Sequence, residues 1–241
     1  MKNLYLLDRA LAVPDEDSFF SRMDNLNYVK NEDDGSCEFW CHQNVWSSPI
    51  GFGGLSLYDI FSIQRQEAVS VLTFIEQLNK EERPITTQSE LDERFADHWN
   101  GFMGLNFADD ENEEIAENKR VHNHTSYRHF LRDGYKFGKV RDLDGLRRNL
   151  QCLYPNFDFE PQALEDVWEI KHSWSANTYL RLHDLLDDIP ENTFQGGLGD
   201  TEHLINLNLC SKRLNRRDRI SYQPYGQGRF RVFRCLGHYE F

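Results

Sequence analysis

Residues 201–236 read TEHLINLNLCSKRLNRRDRISYQPYGQGRFRVFRCL, and they decide the fold of the region around them. Three strand-like stretches follow one another here, around Leu204–Leu209, Asp218–Pro224 and Arg229–Leu236, with only turns between them. Consecutive strands without a crossover helix pair antiparallel. Just upstream, Phe194-Gln195-Gly196-Gly197-Leu198-Gly199 is a glycine-rich turn. Before it, Tyr179, Leu182, Leu185 and Leu186 recur at helical spacing, predicting a helix from about Ser175 to Asp188. An earlier helix starts at Pro161, where a missing N–H costs nothing, and carries Leu164, Val167, Trp168 and Lys171 on one face. Asn156–Phe159 reads as a short strand. The order β-α-α-β-β-β predicts an α+β domain, two helices packed on an antiparallel sheet.

Pro155 disfavours helix at the residue before it, so Leu153-Tyr154-Pro155-Asn156 is read as a boundary. It divides the chain into residues 1–154 and 155–241. The N-terminal part reads as a mixed, helix-rich α+β domain. NLNYVK (25–30) and CEFWCHQNVW (37–46) look like strands flanking the acidic turn Asn31–Gly35. A helix is expected from Leu57 to about Asn79, and another from the capping box Thr87-Gln88-Ser89-Glu90 through Leu91, Phe95 and Trp99. Asp109–Glu117 is an acidic stretch read as an exposed loop or helix start. Ser126–Arg132 and Leu143–Leu153 complete the helices.

Of 241 residues, 39% are hydrophobic and 28% charged, and 17 Phe, 10 Tyr and 5 Trp supply large core side chains. That composition excludes disordered and collagen-like chains. No apolar run reaches the roughly 18 residues of a membrane helix. The N-terminal MKNLYLLDRALAVPDED is broken by Asp8 and Arg9 and fails as an export signal, so a cytoplasmic location is expected, with no membrane partner. Five Cys, an odd count in a reducing compartment, argue against a disulfide framework.

The net charge of −13 is uneven: residues 206–241 hold eight basic side chains against Asp218 and Glu240, a local +6. A basic segment in an acidic chain suggests an anion site, or a strand pair matched to the chain's own carboxylates. The overall charge argues against wrapping bare DNA.

Four stretches in this region carry a family likeness: Phe159-Glu160-Pro161-Gln162-Ala163-Leu164-Glu165-Asp166; Thr193-Phe194 with the glycine turn and Glu202-His203-Leu204; Ser211-Lys212-Arg213-Leu214-Asn215-Arg216-Arg217-Asp218-Arg219-Ile220-Ser221-Tyr222; and Cys235-Leu236-Gly237-His238-Tyr239. In that order and spacing, residues 157–241 resemble the RelE superfamily of bacterial toxins, most closely its YoeB/Txe branch. The resemblance implies a toxin of a toxin-antitoxin system, an mRNA endoribonuclease (mRNA interferase) that acts on the ribosome. It implies mRNA and the ribosome as partners, and a cognate antitoxin; residues 1–154 carry no such likeness and are read as an acidic domain that regulates the toxin in cis or targets it.

The residues make chemical sense on their own. Cutting RNA without a metal requires a base for the 2′-OH, positive charge on the phosphorane oxygens and a proton for the leaving 5′-oxygen. Glu202 is the candidate base, Arg219 and Arg213 candidate phosphate clamps, His238 the candidate acid, and Tyr239 a ring for base stacking. The resemblance gives much the same roles to Glu202, Arg219, His238 and Tyr239. The family often has Lys three residues after the Glu; Ile205 stands there, with Lys212 or Arg216 as substitutes. The chain also continues with Glu240-Phe241 past the Tyr that usually ends such a toxin. Each of these side chains also has an ordinary use, as cap, ion pair or strand end. The rival reading is accordingly a non-catalytic protein-binding protein that keeps the fold as a scaffold.

No cofactor or metal is expected. Cys37-x3-Cys41-His42 lacks a second ligand pair, and His122-x-His124-x4-His129 lacks associated acids. Gly51-Phe52-Gly53-Gly54 is no P-loop, and Gly196-Gly197-Leu198-Gly199 precedes a strand rather than a helix. The acidic stretch Asp109–Glu117 is a candidate to dock on the basic segment.

Overall fold

A computed structural model describes residues 2–108, 114–205 and 209–237. The chain forms two compact units, divided between Lys139 and Val140. The division lies 15 residues before the expected boundary at Tyr154-Pro155. The reason is packing: Leu146 and Leu150, of the helix before Pro155, are buried in the second unit's core.

The first unit alternates strands and helices as far as β4: β1 (Lys2–Leu6), α1 (Glu16–Glu32), β2 (Cys37–His42), α2 (Gln66–Glu76), β3 (Asn79–Glu81), α3 (Gln88–Arg94) and β4 (Trp99–Met103), followed by β5 (Arg120–Val121) and α4 (His124–Phe137). All neighbouring strands run parallel, in the order β3-β2-β1-β4-β5. Alternate residues of β1 feed opposite cores, as a strand with both faces covered requires. Leu4 and Leu6 join the core that holds residues of α1, α2 and α4, while Tyr5 and Leu7 join Leu91 of α3 and Phe102. The mixed organisation expected for this half is therefore a parallel α/β sheet.

Three local expectations are corrected. NLNYVK is no strand; it lies inside α1, where Leu26 and Val29 continue the buried face of Phe19 and Met23 and Tyr28 points out, half exposed. The capping box at Thr87 forms, but α3 stops at Arg94, Asp97 takes a positive φ of 69°, and Trp99 opens β4 instead of extending the helix. From Leu57 the chain makes a 3-10 turn to Ser62, and α2 begins only at Gln66.

The second unit contains α5 (Leu143–Leu153), β6 (Phe157–Phe159), α6 (Pro161–Ser173), α7 (Ala176–Asp188), β7 (Glu202–Leu204), β8 (Leu209–Arg213), β9 (Arg219–Tyr225) and β10 (Arg229–Arg234). The sheet order is β6-β10-β9-β8-β7; β6 runs parallel to β10 and every other pair is antiparallel. The single strand expected over Leu204–Leu209 is two, β7 and β8, paired from Leu204↔Leu209 to Glu202↔Ser211. One face of the sheet, with Cys210, Ile220, Tyr222 and Val232, packs on Leu164, Val167 and Ile170 of α6 and Leu182, Leu185 and Leu186 of α7. Burial of each such side chain stabilises by roughly 1.5–3 kcal/mol. No described helix is long and apolar enough to cross a membrane.

Candidate functional site

The sheet of the second unit lines up its polar residues by register. Glu202 of β7 lies opposite Ser211 of β8, which lies opposite Ser221 of β9; two positions along, Arg213 lies opposite Arg219. Directly paired residues share a face, and so do residues two apart. Glu202, Ser211, Arg213 and Arg219 thus occupy the face turned away from the α6–α7 core. Arg219 reaches across it. Its Nη1 donates to Ser211 Oγ at 3.2 Å and lies 3.3 Å from Glu202 Oε2. The Arg219 side chain is 11% exposed and Glu202 47%, so one edge of a largely covered guanidinium meets an open carboxylate. Arg213 is half exposed, with Nη1 3.8 Å from Asp200 Oδ2.

The segment leading to His238 is held by two aspartates. Asp166 of α6 is buried, and its Oδ2 accepts from Arg234 Nε (2.8 Å), Cys235 N–H (2.8 Å) and Leu236 N–H (3.1 Å). Asp218 Oδ1 accepts from Gly237 N–H (2.9 Å), and the Arg219 N–H donates to the Gly237 carbonyl (3.1 Å). Gly237 has φ of 86°, a left-handed conformation that favours glycine. Gly237 is thereby anchored to the backbone of Arg219. His238 and Tyr239 lie outside the described residues, as do Glu240 and Phe241.

Lys212 does not belong with the phosphate contacts. It alternates with Ser211 and Arg213 onto the helix side of the sheet, opposite Ile220, and its side chain is fully buried. Its Nζ donates to Asp188 Oδ2 (2.6 Å), Thr201 Oγ1 (2.6 Å) and the Leu198 carbonyl (3.2 Å). Burial opposes charge on Asp188, but Lys212, Asn192 and the Leu198 N–H together hold its carboxyl below the usual range. The pair ties the end of α7 and the glycine turn to β8. Gly199 shows how close that turn comes: a Cβ there would meet the Arg213 carbonyl at 2.7 Å. Arg216 is exposed in the turn between β8 and β9, and Ile205 is exposed beyond β7.

Six of the eight cations of the basic segment have a carboxylate within the same unit: Lys212–Asp188, Arg213–Asp200, Arg219–Glu202, Arg229–Asp158, Arg231–Glu160 and Arg234–Asp166. Much of the apparent +6 is therefore matched locally. Of the acidic stretch Asp109–Glu117, residues 109–113 lie outside the described residues.

Sequence reasoning passed over Asp166, Asp188 and Asp218. A signal existed for the first: Asp166 sits in the buried stripe of α6 beside Ala163, Val167 and Ile170, where an acid requires donors. The other motifs disperse. Cys37 and Cys41 face the first unit's core, while His42 Nδ1 lies 3.9 Å from Asp8 Oδ2. His124 Nε2 meets Glu32 Oε2 at 2.8 Å, away from His122 and His129, which line a separate cleft. Among the described residues, no group of three or more His, Cys, Asp or Glu is placed to hold a metal ion.

No family model matches the chain, and no curated protein does either. Solved structures do. A YoeB/ParE toxin from Agrobacterium tumefaciens is 24% identical, covering 35% of this chain and 99% of its own, with a TM-score of 0.33. The YoeB dimer from Staphylococcus aureus is 29% identical over 35% of this chain and 97% of its own, with a TM-score of 0.32. A heterotetrameric YoeB–YefM toxin-antitoxin complex from Staphylococcus aureus gives 29%, the same shares and 0.31.

Proposed function

We propose that the second unit is an endoribonuclease of toxin type, cutting mRNA on the ribosome by metal-independent acid-base chemistry. The observation that carries this reading is the Arg219 guanidinium held between Ser211 and Glu202, with Arg213 on the same face and Gly237 bonded to the Arg219 backbone. In the proposed reaction Glu202 takes the proton of a 2′-OH, and O2′ attacks the adjacent phosphorus. Arg219 and Arg213 bear the charge that grows on the phosphorane oxygens. The P–O5′ bond breaks and His238 supplies the proton to O5′. The products are a 2′,3′-cyclic phosphate, or the 3′-phosphate it hydrolyses to, and a 5′-OH. Tyr239 stacks on a base, and Arg216 in the exposed turn supplies a further backbone contact. An antitoxin, or residues 1–154, would restrain it by covering this face.

A second reading is favoured by the six internal ion pairs. A cationic sheet matched to its own carboxylates serves equally as a scaffold for a protein partner, with no turnover.

The deciding experiment expresses the full chain in a bacterial host and maps transcript ends by primer extension. The nuclease reading expects growth arrest and new 5′-OH ends that are absent with Glu202→Gln or Arg219→Ala. With purified protein and programmed ribosomes, the upstream fragments should end in a 2′,3′-cyclic phosphate or a 3′-phosphate. Intact transcripts, with wild type indistinguishable from both variants, overturn the enzyme and leave the scaffold.

A further inference from the structure

The first unit has a hollow that the chemistry of the second does not use. In the order β3-β2-β1-β4-β5, the chain leaves β1 towards β2 and leaves β4 towards β5 on the other side. The connections after β1 and β4 part there, and the crevice outside the carboxyl ends of such strands is where open α/β sheets receive ligands. Arg22 and Asn25 of α1 form one wall of this hollow, Leu105–Phe107 after β4 a second, and His122 and Asn123 after β5 a third. It has a volume of about 520 Å³ and shares Phe107, His122 and Asn123 with an adjoining cleft of about 980 Å³. Spaces of roughly 300–1,000 Å³ suit small molecules.

The described polar lining is cationic or neutral. No carboxylate is among the described residues of the smaller hollow. Arg22 is fixed there by Nη1 donating to the Leu105 carbonyl at 2.8 Å. Burial and the nearby Arg22 charge both lower the pKa of His122. In the adjoining cleft Arg120 adds a cation, its guanidinium 6.0 Å from the Phe107 ring centre. Glu117 and Asp133 line that outer cleft, and Asp133 already accepts from Asn118 Nδ2 at 2.8 Å. The 14-residue α4 starts beside Asn123, so the positive end of its dipole adds to the same region.

An anion would relieve the crowding of Arg22 and His122, and the flat fork of an arginine suits phosphate oxygens. Phe107 offers an apolar surface beside them for the rest of a ligand. We propose that this hollow binds a phosphorylated small molecule of about nucleotide size, with its phosphate against Arg22 and His122.

The test is calorimetric titration of the full-length protein with inorganic phosphate, ribose 5-phosphate, AMP and adenosine. AMP and ribose 5-phosphate are expected to bind saturably and more tightly than inorganic phosphate, and adenosine not at all. Because Arg22 also anchors the loop after β4, two less buried positions supply the variants: His122→Ala, which removes a contact, and Asn25→Asp, which sets a carboxylate against the phosphate, should each weaken binding about tenfold or more. Binding should persist in Arg219→Ala, which removes a phosphate contact of the second unit. The proposal is overturned if neither phosphate ester binds, if inorganic phosphate binds as tightly as either, or if both variants bind like wild type. Loss of binding in Arg219→Ala overturns it too.

Discussion

The Lys212 ammonium lies 2.6 Å from a carboxylate oxygen of Asp188, with its own side chain sealed from solvent and that of Asp188 14% exposed. A buried pair of this kind gains little over a well-packed apolar one, but breaking it leaves an uncompensated charge. Asp188→Asn is therefore expected to lower the free energy of unfolding by ~3–5 kcal/mol, read from urea denaturation. Lys212→Met removes the charge while keeping bulk, and should cost less. A larger loss for Lys212→Met than for Asp188→Asn would contradict this account.

The same pair sets a pH dependence. The Asp188 carboxyl is held below its ordinary value when folded. Its stabilisation is thus fully present above the unfolded value near ~4, and is lost as pH falls through the lower folded value. Stability measured from pH 7 down to pH 3 should drop more steeply in wild type than in Asp188→Asn at the acid end. Parallel curves would show that the carboxylate is not the group responsible.

Asp166 bonds the N–H groups of Cys235 and Leu236, whereas Asp218 bonds that of Gly237. Amide hydrogen exchange should separate them. Asp166→Ala is expected to expose the 235 and 236 amides and to cost ~3 kcal/mol or more, since a buried carboxylate that accepts from Arg234 and two backbone N–H groups is removed. Asp218→Ala should open the amide of Gly237. Unaltered protection at these sites would remove both aspartates from any positioning role.

Glu202 predicts a split between stability and activity. The carboxylate is half exposed, so Glu202→Gln should change stability by no more than ~1 kcal/mol. If the proposed reaction operates, its rate should fall by ~10²–10⁴, the usual range for a lost general base. A variant that melts early and still cleaves would place Glu202 in the scaffold instead.

How far the sequence carried depended on where the information lay. The strands at Asp218–Pro224 and Arg229–Leu236 and the helices at Pro161 and Ser175 were legible, because apolar spacing and turn residues mark them locally. Glu202, Arg213 and Arg219 share one sheet face, whereas His238, which the same chemistry needs beside them, lies outside the described residues. The exclusion of Lys212 from that face depends on register: one position along a strand reverses a side chain, and β7 and β8 had been read as a single strand. The parallel sheet of the first unit was hidden by brevity, since β3 has three residues and β5 two. Asp166 could have been flagged as an acid in an apolar stripe, but its donors lie about 70 positions further along the chain.

The pairing of β6 with β10 has a consequence for the timing of synthesis. β10 joins β6 to β9, yet it is made some seventy residues after β6. At ~5–20 residues per second, that interval lasts roughly 4–15 s, during which α6 and α7 exist without the strand that closes their sheet. The first unit, complete by Lys139, has all five of its strands well before then. A translating ribosome therefore carries a complete first unit before the second can close, and the strands bearing Glu202 and Arg219 are joined to β6 only when Arg229–Arg234 have emerged.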